Sequence, residues 1–183
     1  MPTRTIGETM EALGQELLEE LDGIARSSHA RYRDYRPEDL IEHDVRAQAA
    51  CTYAHMLAEA DRRFVDRTGV QSFDIRGQKL WLFEEPNVII RLKKMDEDGR
   101  SRNYPTKQAR AFDAQDDLPG LPSPAVRLTA GYLLDATGTN FVRSQVARPD
   151  GKNALWCAAI VPHEEREEEG RVWVEVTRQR RFG

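Results

Sequence analysis

One short segment of the sequence, residues 91–110, concentrates positive charge around a single tyrosine. Lysine and arginine side chains bind the phosphates of a nucleic-acid backbone, and an aromatic ring stacks on a base. The segment is therefore typical of a contact with RNA or with a single strand. The side chains predicted to make this contact are Arg91, Lys93, Arg100, Arg102, Tyr104, Lys107 and Arg110. The competing interpretation is a charged hairpin edge, because acidic residues at 96–98 partly neutralise the segment.

Two histidines and a glutamate form a partial set of metal ligands. His55 and Glu59 are four residues apart in a predicted helix, and His43 lies further up the same helix. The His-Glu-x-x-His pattern, which places two imidazoles one turn apart beside a general base, is absent. Such residues more often form a polar pair on a helix surface, so we predict no metal site.

Other catalytic patterns are absent or weak. No glycine-rich phosphate loop, no Gly-x-Ser-x-Gly elbow and no cysteine with a histidine nearby occurs in the sequence. A metal-dependent nuclease stays open as an alternative, because Asp74, Glu84 or Glu85, and Lys93 lie in predicted strands or beside them. No catalytic residue is assigned from the sequence and no cofactor is expected. Whether the protein is an enzyme stays undecided.

The first third of the chain shows helical spacing. Thr5 and Glu8 match a capping box, and an apolar stripe with spacings of three and four follows until Ser27 and Ser28. A second helix is predicted from Pro37 to residues 68–69. Its apolar stripe consists of Ile41, Val45, Ala49, Tyr53, Met56, Ala60 and Phe64. A short connector containing Tyr32 and Tyr35 favours two antiparallel helices.

After residue 69 the apolar side chains alternate, as they do in strands. Strands are predicted at 73–76, 79–83, 88–93, 126–134, 141–148, 154–161 and 172–176, with a short helix over 106–115. The short loops after residue 126 favour an antiparallel meander. We therefore predict one α+β domain over 1–183, in which a helical part, 1–69, packs on a mostly antiparallel sheet formed by 70–183.

Composition narrows the class of protein further. The 183 residues include 32% charged side chains, and the net charge of -4 argues against a surface that is basic throughout. No apolar run is long enough to cross a membrane, and the first residues lack the apolar region of a secretory signal. We expect a cytoplasmic protein whose two cysteines, Cys51 and Cys157, are buried free thiols.

A family resemblance adds a second line of inference. The chain resembles, over 91–161, a small uncharacterised bacterial family encoded in mobile or prophage regions. The stretches that carry the resemblance are Asp98-Gly99-Arg100-Ser101-Arg102-Asn103-Tyr104-Pro105-Thr106-Lys107-Gln108-Ala109, Leu118-Pro119-Gly120-Leu121-Pro122 and Leu128-Thr129-Ala130-Gly131-Tyr132. In that family the neighbouring gene encodes a regulator that combines a helix-turn-helix with an ImmA/IrrE-type peptidase domain. The resemblance implies a two-gene arrangement of the toxin–antitoxin kind.

Two functional hypotheses follow from the sequence. The first is a component of a two-gene toxin–antitoxin or phage-related module, either the toxin or the partner held by the regulator, that acts through protein–protein contact. The apolar face of the predicted helix pair would offer the docking surface. The alternative is an RNA- or DNA-binding protein, or a nuclease, that uses the basic segment 91–110.

Overall fold

A computed structural model describes residues 4–75, 77–101, 106–122, 124–167 and 170–177. The helices are α1 (Ile6–Arg33), α2 (Pro37–Glu42), α3 (Val45–Phe64) and α4 (Lys107–Asp113). The strands are β1 (Val70–Ile75), β2 (Gln78–Phe83), β3 (Val88–Lys94), β4 (Val126–Leu134), β5 (Phe141–Asp150), β6 (Asn153–Ile160) and β7 (Trp173–Glu175). The predicted α+β class, with a helix pair on a mostly antiparallel sheet, is confirmed.

Helix α1 begins as predicted but ends later. The amide of Glu8 donates to the Thr5 hydroxyl at 3.2 Å, and the amide of Thr5 donates to the Glu8 carboxylate at 2.7 Å. The prediction that the helix ends at the two serines is wrong, because Ser28 is itself buried and Tyr32, one turn further on, continues the buried face. The helix is interrupted at Gly14, whose φ of 76° suits glycine.

The predicted second helix is two helices in the structure. Asp44 caps α3, since one of its carboxylate oxygens accepts from the amides of Arg46 and Ala47 at 2.9 and 2.8 Å. Helix α2 buries none of its residues. The prediction that Ile41 and Val45 belong to the buried stripe is therefore wrong: their exposed fractions are 85% and 67%.

The strands follow one another across the sheet in chain order, β1 to β7. Neighbouring strands are antiparallel except β3 and β4, which run parallel from Val88 opposite Val126 to Lys94 opposite Tyr132. Parallel pairing requires a long connection, and residues 95–125, which include α4, provide it. The predicted meander of β4, β5 and β6 is confirmed.

The sheet is covered on both faces. Helices α1 and α3 pack on one face, where the core includes Trp81, Ile90 and Leu128. Helix α4 covers part of the other face through Phe112, which belongs to a cluster with Ile89. This arrangement explains why successive residues of β3 are buried, and it brings α4 over the second half of that strand.

Both cysteines are free thiols, but only one is fully buried. Cys157 lies in β6 within the sheet, whereas Cys51 on α3 is half-buried. Burial raises the pKa of the Cys157 thiol to about 12. The prediction of burial is thus confirmed for Cys157 and wrong for Cys51.

Across the described ranges, no helix has an apolar stretch of the length needed to cross a lipid bilayer.

Candidate functional site

A cavity of about 890 Å³ opens where β2 and β3 separate. The pairing of these strands covers Trp81–Phe83 of β2 and Val88–Ile90 of β3, and β3 continues beyond it. The walls come from α3, the β1–β2 turn, the residues after β3, α4 and the β5–β6 turn. We call this cavity the basic cleft. Its charged lining residues are Arg91, Lys93, Arg100, Arg110, Lys152 and one carboxylate, Asp113.

Arg91 forms the buried floor of the basic cleft, with an exposed fraction of 2%. Its Nε donates to the Thr129 hydroxyl at 2.9 Å, and its Nη2 donates to the Ser101 hydroxyl at 3.2 Å and to the Asp113 carboxylate. The guanidinium carbon lies 4.4 Å from the centre of the Phe112 ring. Within the described part of the chain, Nη1 is buried without a hydrogen-bond partner.

Burial acts on both members of the ion pair in the cleft floor. It lowers the pKa of Arg91 and raises the pKa of the Asp113 carboxyl. The positive charge of the nearby guanidinium partly counteracts the increase in the pKa of Asp113. Arginine nevertheless keeps its charge in proteins, because its ordinary pKa is above about 12. The cleft floor therefore carries a fixed positive charge.

Lys93 adds a second positive charge two residues further along β3. Its ammonium group lies 4.8 Å from the centre of the Tyr53 ring. Burial and the charge of Arg91 lower the pKa of Lys93 to about 8. Among the described residues, no carboxylate forms an ion pair with it. An arriving anion would therefore stabilise the charged form of this lysine.

The remaining cations lie at the rim. Arg100 is paired with Asp96 and Asp98, at 3.0 Å each, whereas Arg110 and Lys152 are exposed. No ion pair of Arg110 or Lys152 occurs within the described ranges. The rim thus presents the exposed charges of Arg110 and Lys152 to an incoming ligand, in addition to the buried charge of the floor.

The structure brings together four of the seven residues predicted to contact nucleic acid. Arg91, Lys93, Arg100 and Arg110 all line the basic cleft, whereas Lys107 is exposed and lies outside its lining. Arg102 and Tyr104 lie outside the described residues.

Sequence reasoning did not identify several residues of the cleft. Asp113 and Thr129, which hold Arg91, had no recognisable signal because they lie on separate elements. Lys152 follows Pro149, Asp150 and Gly151, a pattern that indicated only the β5–β6 turn. A lysine at the tip of a hairpin could be recognised as a ligand contact only once the neighbouring elements were known.

A second cavity, of about 1210 Å³, adjoins the first. Tyr53 and Lys93 line both cavities, so the second one begins where the basic cleft ends. We call it the acidic groove. Its apolar lining residues are Val45, Ala49, Ala50, Met95, Leu133, Leu134 and Ala136. Its charged lining residues are the cations Arg46, Lys93 and Lys94 and the carboxylates Asp96, Glu97, Asp98 and Asp135.

The histidines considered as metal ligands contact tyrosines instead. Nδ1 of His43 lies 3.3 Å from the Tyr32 hydroxyl, and Nε2 of His55 lies 2.8 Å from the Tyr35 hydroxyl. Glu59 pairs with two arginines of its own helix. Within the described residues, no cluster of three histidine, cysteine or acidic side chains is suited to a metal ion.

The carboxylates considered for a nuclease do not line the basic cleft. Asp74 accepts a hydrogen bond from the backbone amide of Gly77 at 3.1 Å in the β1–β2 turn, and Glu84 accepts one from the side-chain amide of Gln71. Neither these two residues nor Glu85 line the cleft that contains Lys93. The carboxylate that accompanies Lys93 there is Asp113, which is already paired with Arg91.

No protein-family model, no curated protein and no solved structure matches this chain. The class of protein is therefore defined by its own geometry. It is an α+β protein that covers both faces of a mixed sheet and opens a positively charged cleft beside β3.

Proposed function

We propose that this protein binds the phosphate groups of nucleotides or nucleic acids in the basic cleft. The contrast in charge supports the proposal. The chain as a whole has a net charge of -4, yet five cations and one carboxylate line the cleft. Clefts lined by one sign of charge concentrate ligands of the opposite sign. The cavity also has the volume typical of small-ligand sites, about 300–1,000 Å³.

One observation carries the proposal: Arg91 and Lys93 both line the cleft, and the one carboxylate of its lining, Asp113, is already paired with Arg91. Two desolvated cations with one counterion are unfavourable, and a bound anion would remove part of that cost. Nη1 of Arg91 supplies a donor that has no partner in the described structure. Charge-assisted bonds from arginine and lysine to phosphate are among the stronger hydrogen bonds in proteins.

The proposal is tested with a single-stranded oligoadenylate that carries a 5′-phosphate. Replacing Arg110 and Lys152 together by alanine is expected to weaken binding by about 10-fold to 50-fold at low salt. The slope of log affinity against log salt should also decrease by about 1 to 1.5. Fluorescence anisotropy titrations at several salt concentrations measure both quantities.

The pH dependence of the same titration tests whether the charge of Lys93 contributes to binding. Lys93 is protonated below its pKa of about 8 and loses its charge above it. Adenine and the phosphodiester groups keep one charge state between about pH 7 and pH 9, and the terminal phosphate, whose second pKa is about 6, is already mostly dianionic at the start of that interval. Affinity is therefore expected to decrease over the interval as Lys93 loses its charge. Lys93→Arg, which keeps its charge, is expected to remove the decrease.

A matched control removes the same charge elsewhere. Arg31→Ala combined with Arg33→Ala takes away two exposed cations that do not line the basic cleft. This variant should bind within about twofold of the unmodified protein. An equal loss of affinity in both double variants would show that only overall charge matters. The absence of salt-dependent binding in the unmodified protein would contradict the proposal.

We further propose the partnership that the family resemblance implies, a cytoplasmic two-gene module in which this chain binds the regulator encoded beside it. The observation that favours protein–protein contact is helix α2, which has no buried residue. Ile41 of α2 and Val45 at the start of α3, four residues apart in the sequence, both expose large apolar side chains. Exposed apolar residues that lie together often mark a protein interface.

Co-expression with the neighbouring regulator tests the partnership. A tagged regulator should retain this chain on a column, and Ile41→Glu with Val45→Glu should abolish retention. Val65→Glu serves as the control, because Val65 is equally exposed but lies at the opposite end of α3. Failure to retain the unmodified chain, together with no effect on growth when it is induced, would refute the partnership.

A further inference from the structure

We propose that Lys93 is a reactive amine that condenses with the aldehyde or ketone group of a phosphorylated ligand held in the basic cleft. This inference rests on the proposed function, because binding of the phosphate is what brings the carbonyl group to the lysine. The ligand is a carbonyl compound that carries a phosphate. It is either a small sugar phosphate or the open aldehyde at an abasic site of a nucleic-acid strand, since both present the same two groups.

Lys93 lines the cleft without the carboxylate that usually accompanies a buried lysine. It follows Arg91 by two residues on β3, so the two side chains lie on one face of the strand, and both line the cleft. Asp113, the one carboxylate of the lining, pairs with Arg91. The Lys93 nitrogen lies 4.8 Å from the centre of the Tyr53 ring, and within the described ranges it donates no hydrogen bond. The nitrogen is therefore available to a ligand.

The protonation of Lys93 suits a nucleophile at slightly alkaline pH. An amine attacks a carbonyl group only when it is unprotonated, and an ordinary lysine, with a pKa of about 10.4, is less than about 1% unprotonated at about pH 8. Burial and the charge of Arg91 lower the pKa of Lys93 to about 8, so about half of this side chain is unprotonated at that pH. Lysines activated by desolvation or by a neighbouring cation form Schiff bases in proteins.

The condensation is balanced without any further reactant. The amine nitrogen attacks the carbonyl carbon, a carbon–nitrogen bond forms, and a proton moves from the nitrogen to the former carbonyl oxygen. That oxygen takes up the proton that the ammonium group released earlier and leaves as water, while the nitrogen forms a double bond to carbon. The net reaction converts an ammonium group and a carbonyl group into a protonated imine and water. Because both forms of the lysine carry one positive charge, a bound phosphate stabilises each of them.

The remaining cations of the cleft are suited to hold the phosphate. Arg91 keeps its positive charge, and its buried Nη1 has no hydrogen-bond partner within the described part of the chain. Arg110 and Lys152 add exposed charges at the rim. A phosphate bound by these cations would keep the carbonyl group in the cavity that contains the Lys93 amine, which raises its effective concentration. An aldehyde without a phosphate lacks this attachment.

Pyridoxal 5′-phosphate, a phosphorylated aldehyde, tests the inference on the unmodified protein at about pH 8. Sodium borohydride then adds hydride to the imine carbon and converts the imine into a stable secondary amine. Peptide mass spectrometry is expected to find at least about 10-fold more adduct at Lys93 than at each other lysine. Pyridoxal, which lacks the phosphate, is expected to label Lys93 at least about 10-fold more slowly.

A second probe distinguishes the two sources of the carbonyl group. A single-stranded oligoadenylate with one abasic site is incubated with the protein and trapped with borohydride in the same way. The rate of each probe with Lys93 is divided by its rate with free lysine. If the ligand is a strand, this ratio should be at least about 10-fold larger for the abasic oligomer than for pyridoxal 5′-phosphate. The opposite order indicates a small ligand, and either order supports the inference because the adduct forms at Lys93.

Two variants establish which side chain carries the adduct. Lys93→Arg keeps the positive charge but has no amine that forms an imine, so it is expected to lose the adduct, with circular dichroism used to check folding. Lys94→Arg is the matched control. Lys94 is the next residue of β3, burial lowers its pKa as well, and it does not line the basic cleft. This control should keep the adduct at Lys93.

The outcomes distinguish this inference from the proposed function. The inference is overturned if the label spreads evenly over the lysines, or if pyridoxal labels Lys93 as fast as its phosphorylated form. It is also overturned if no adduct forms while the phosphorylated oligoadenylate still binds, and the proposed function then stands. If phosphate-dependent labelling occurs without binding of the oligoadenylate, the inference stands for small ligands and nucleic-acid binding is discarded. If neither is observed, both are discarded.

Discussion

Replacing Asp113 by alanine is expected to lower the free energy of unfolding by about 3–5 kcal/mol. The substitution leaves the guanidinium of Arg91 buried, with only the hydroxyls of Thr129 and Ser101 as partners among the described residues. Removing one member of a buried ion pair is costly because the remaining charge stays desolvated. Urea denaturation followed by circular dichroism measures the change.

Two further variants separate the ion pair from other effects of the substitution. Asp66→Ala removes an exposed carboxylate just beyond the end of α3 and should change the free energy of unfolding by less than about 0.5 kcal/mol. Arg91→Met combined with Asp113→Ala removes both charges and should lose less stability than Asp113→Ala alone. If the double variant loses more than the single one, the attribution to an unpaired buried charge is wrong.

This ion pair links the stability of the fold to the proposed site. Asp113 lies at the end of α4 and holds Arg91 in place, while Phe112 beside it packs against the guanidinium. The connection between β3 and β4 thus positions the charge that would meet a phosphate. Burying a charged guanidinium in a sheet carries a desolvation penalty, and such buried charges are common at functional sites.

The sequence predicted the elements better than their ends. The capping box at Thr5 located the start of α1 because capping depends on residues three positions apart. The end of α1 depended on the burial of Ser28 and Tyr32, which is a tertiary effect. Asp44 is a recognised capping residue, yet the apolar residues on either side of it suggested a single continuous helix.

The candidate site was also predictable only where it depends on residues that are close together in the sequence. Arg91 and Lys93 are two residues apart in a strand, so their shared side of β3 follows from the sequence. The approach of α4 does not, because residues 95–125 return to form a parallel pair that the sequence did not indicate. Asp113 reaches Arg91 only through that return.

Replacing Gly131 by alanine is expected to have the largest effect on the fold, with a loss of about 4 kcal/mol or more in the free energy of unfolding. Gly131 lies in β4 opposite Lys93, and an added methyl group would overlap the carbonyl oxygen of Lys93. Backbone atoms in the middle of a sheet move little, so the two strands would have to separate. Chemical denaturation and the fraction of folded protein from circular dichroism measure the loss.

The matched control for this substitution is Gly7→Ala. Gly7 lies in α1, and apart from its chain neighbours and the backbone of its own helix, no atom of the described residues is within 4 Å of the position an added methyl group would take. Alanine favours helix over glycine by about 0.5–1 kcal/mol. Gly7→Ala should therefore be neutral or slightly stabilising, which excludes a general effect of losing a glycine.

Gly131 sets the distance between β4 and the part of β3 that carries Lys93. The fraction of Gly131→Ala protein that stays folded should therefore also bind phosphate more weakly than the unmodified protein. A Gly131→Ala variant with unchanged stability would mean that β3 and β4 do not approach each other as closely as the parallel pairing requires.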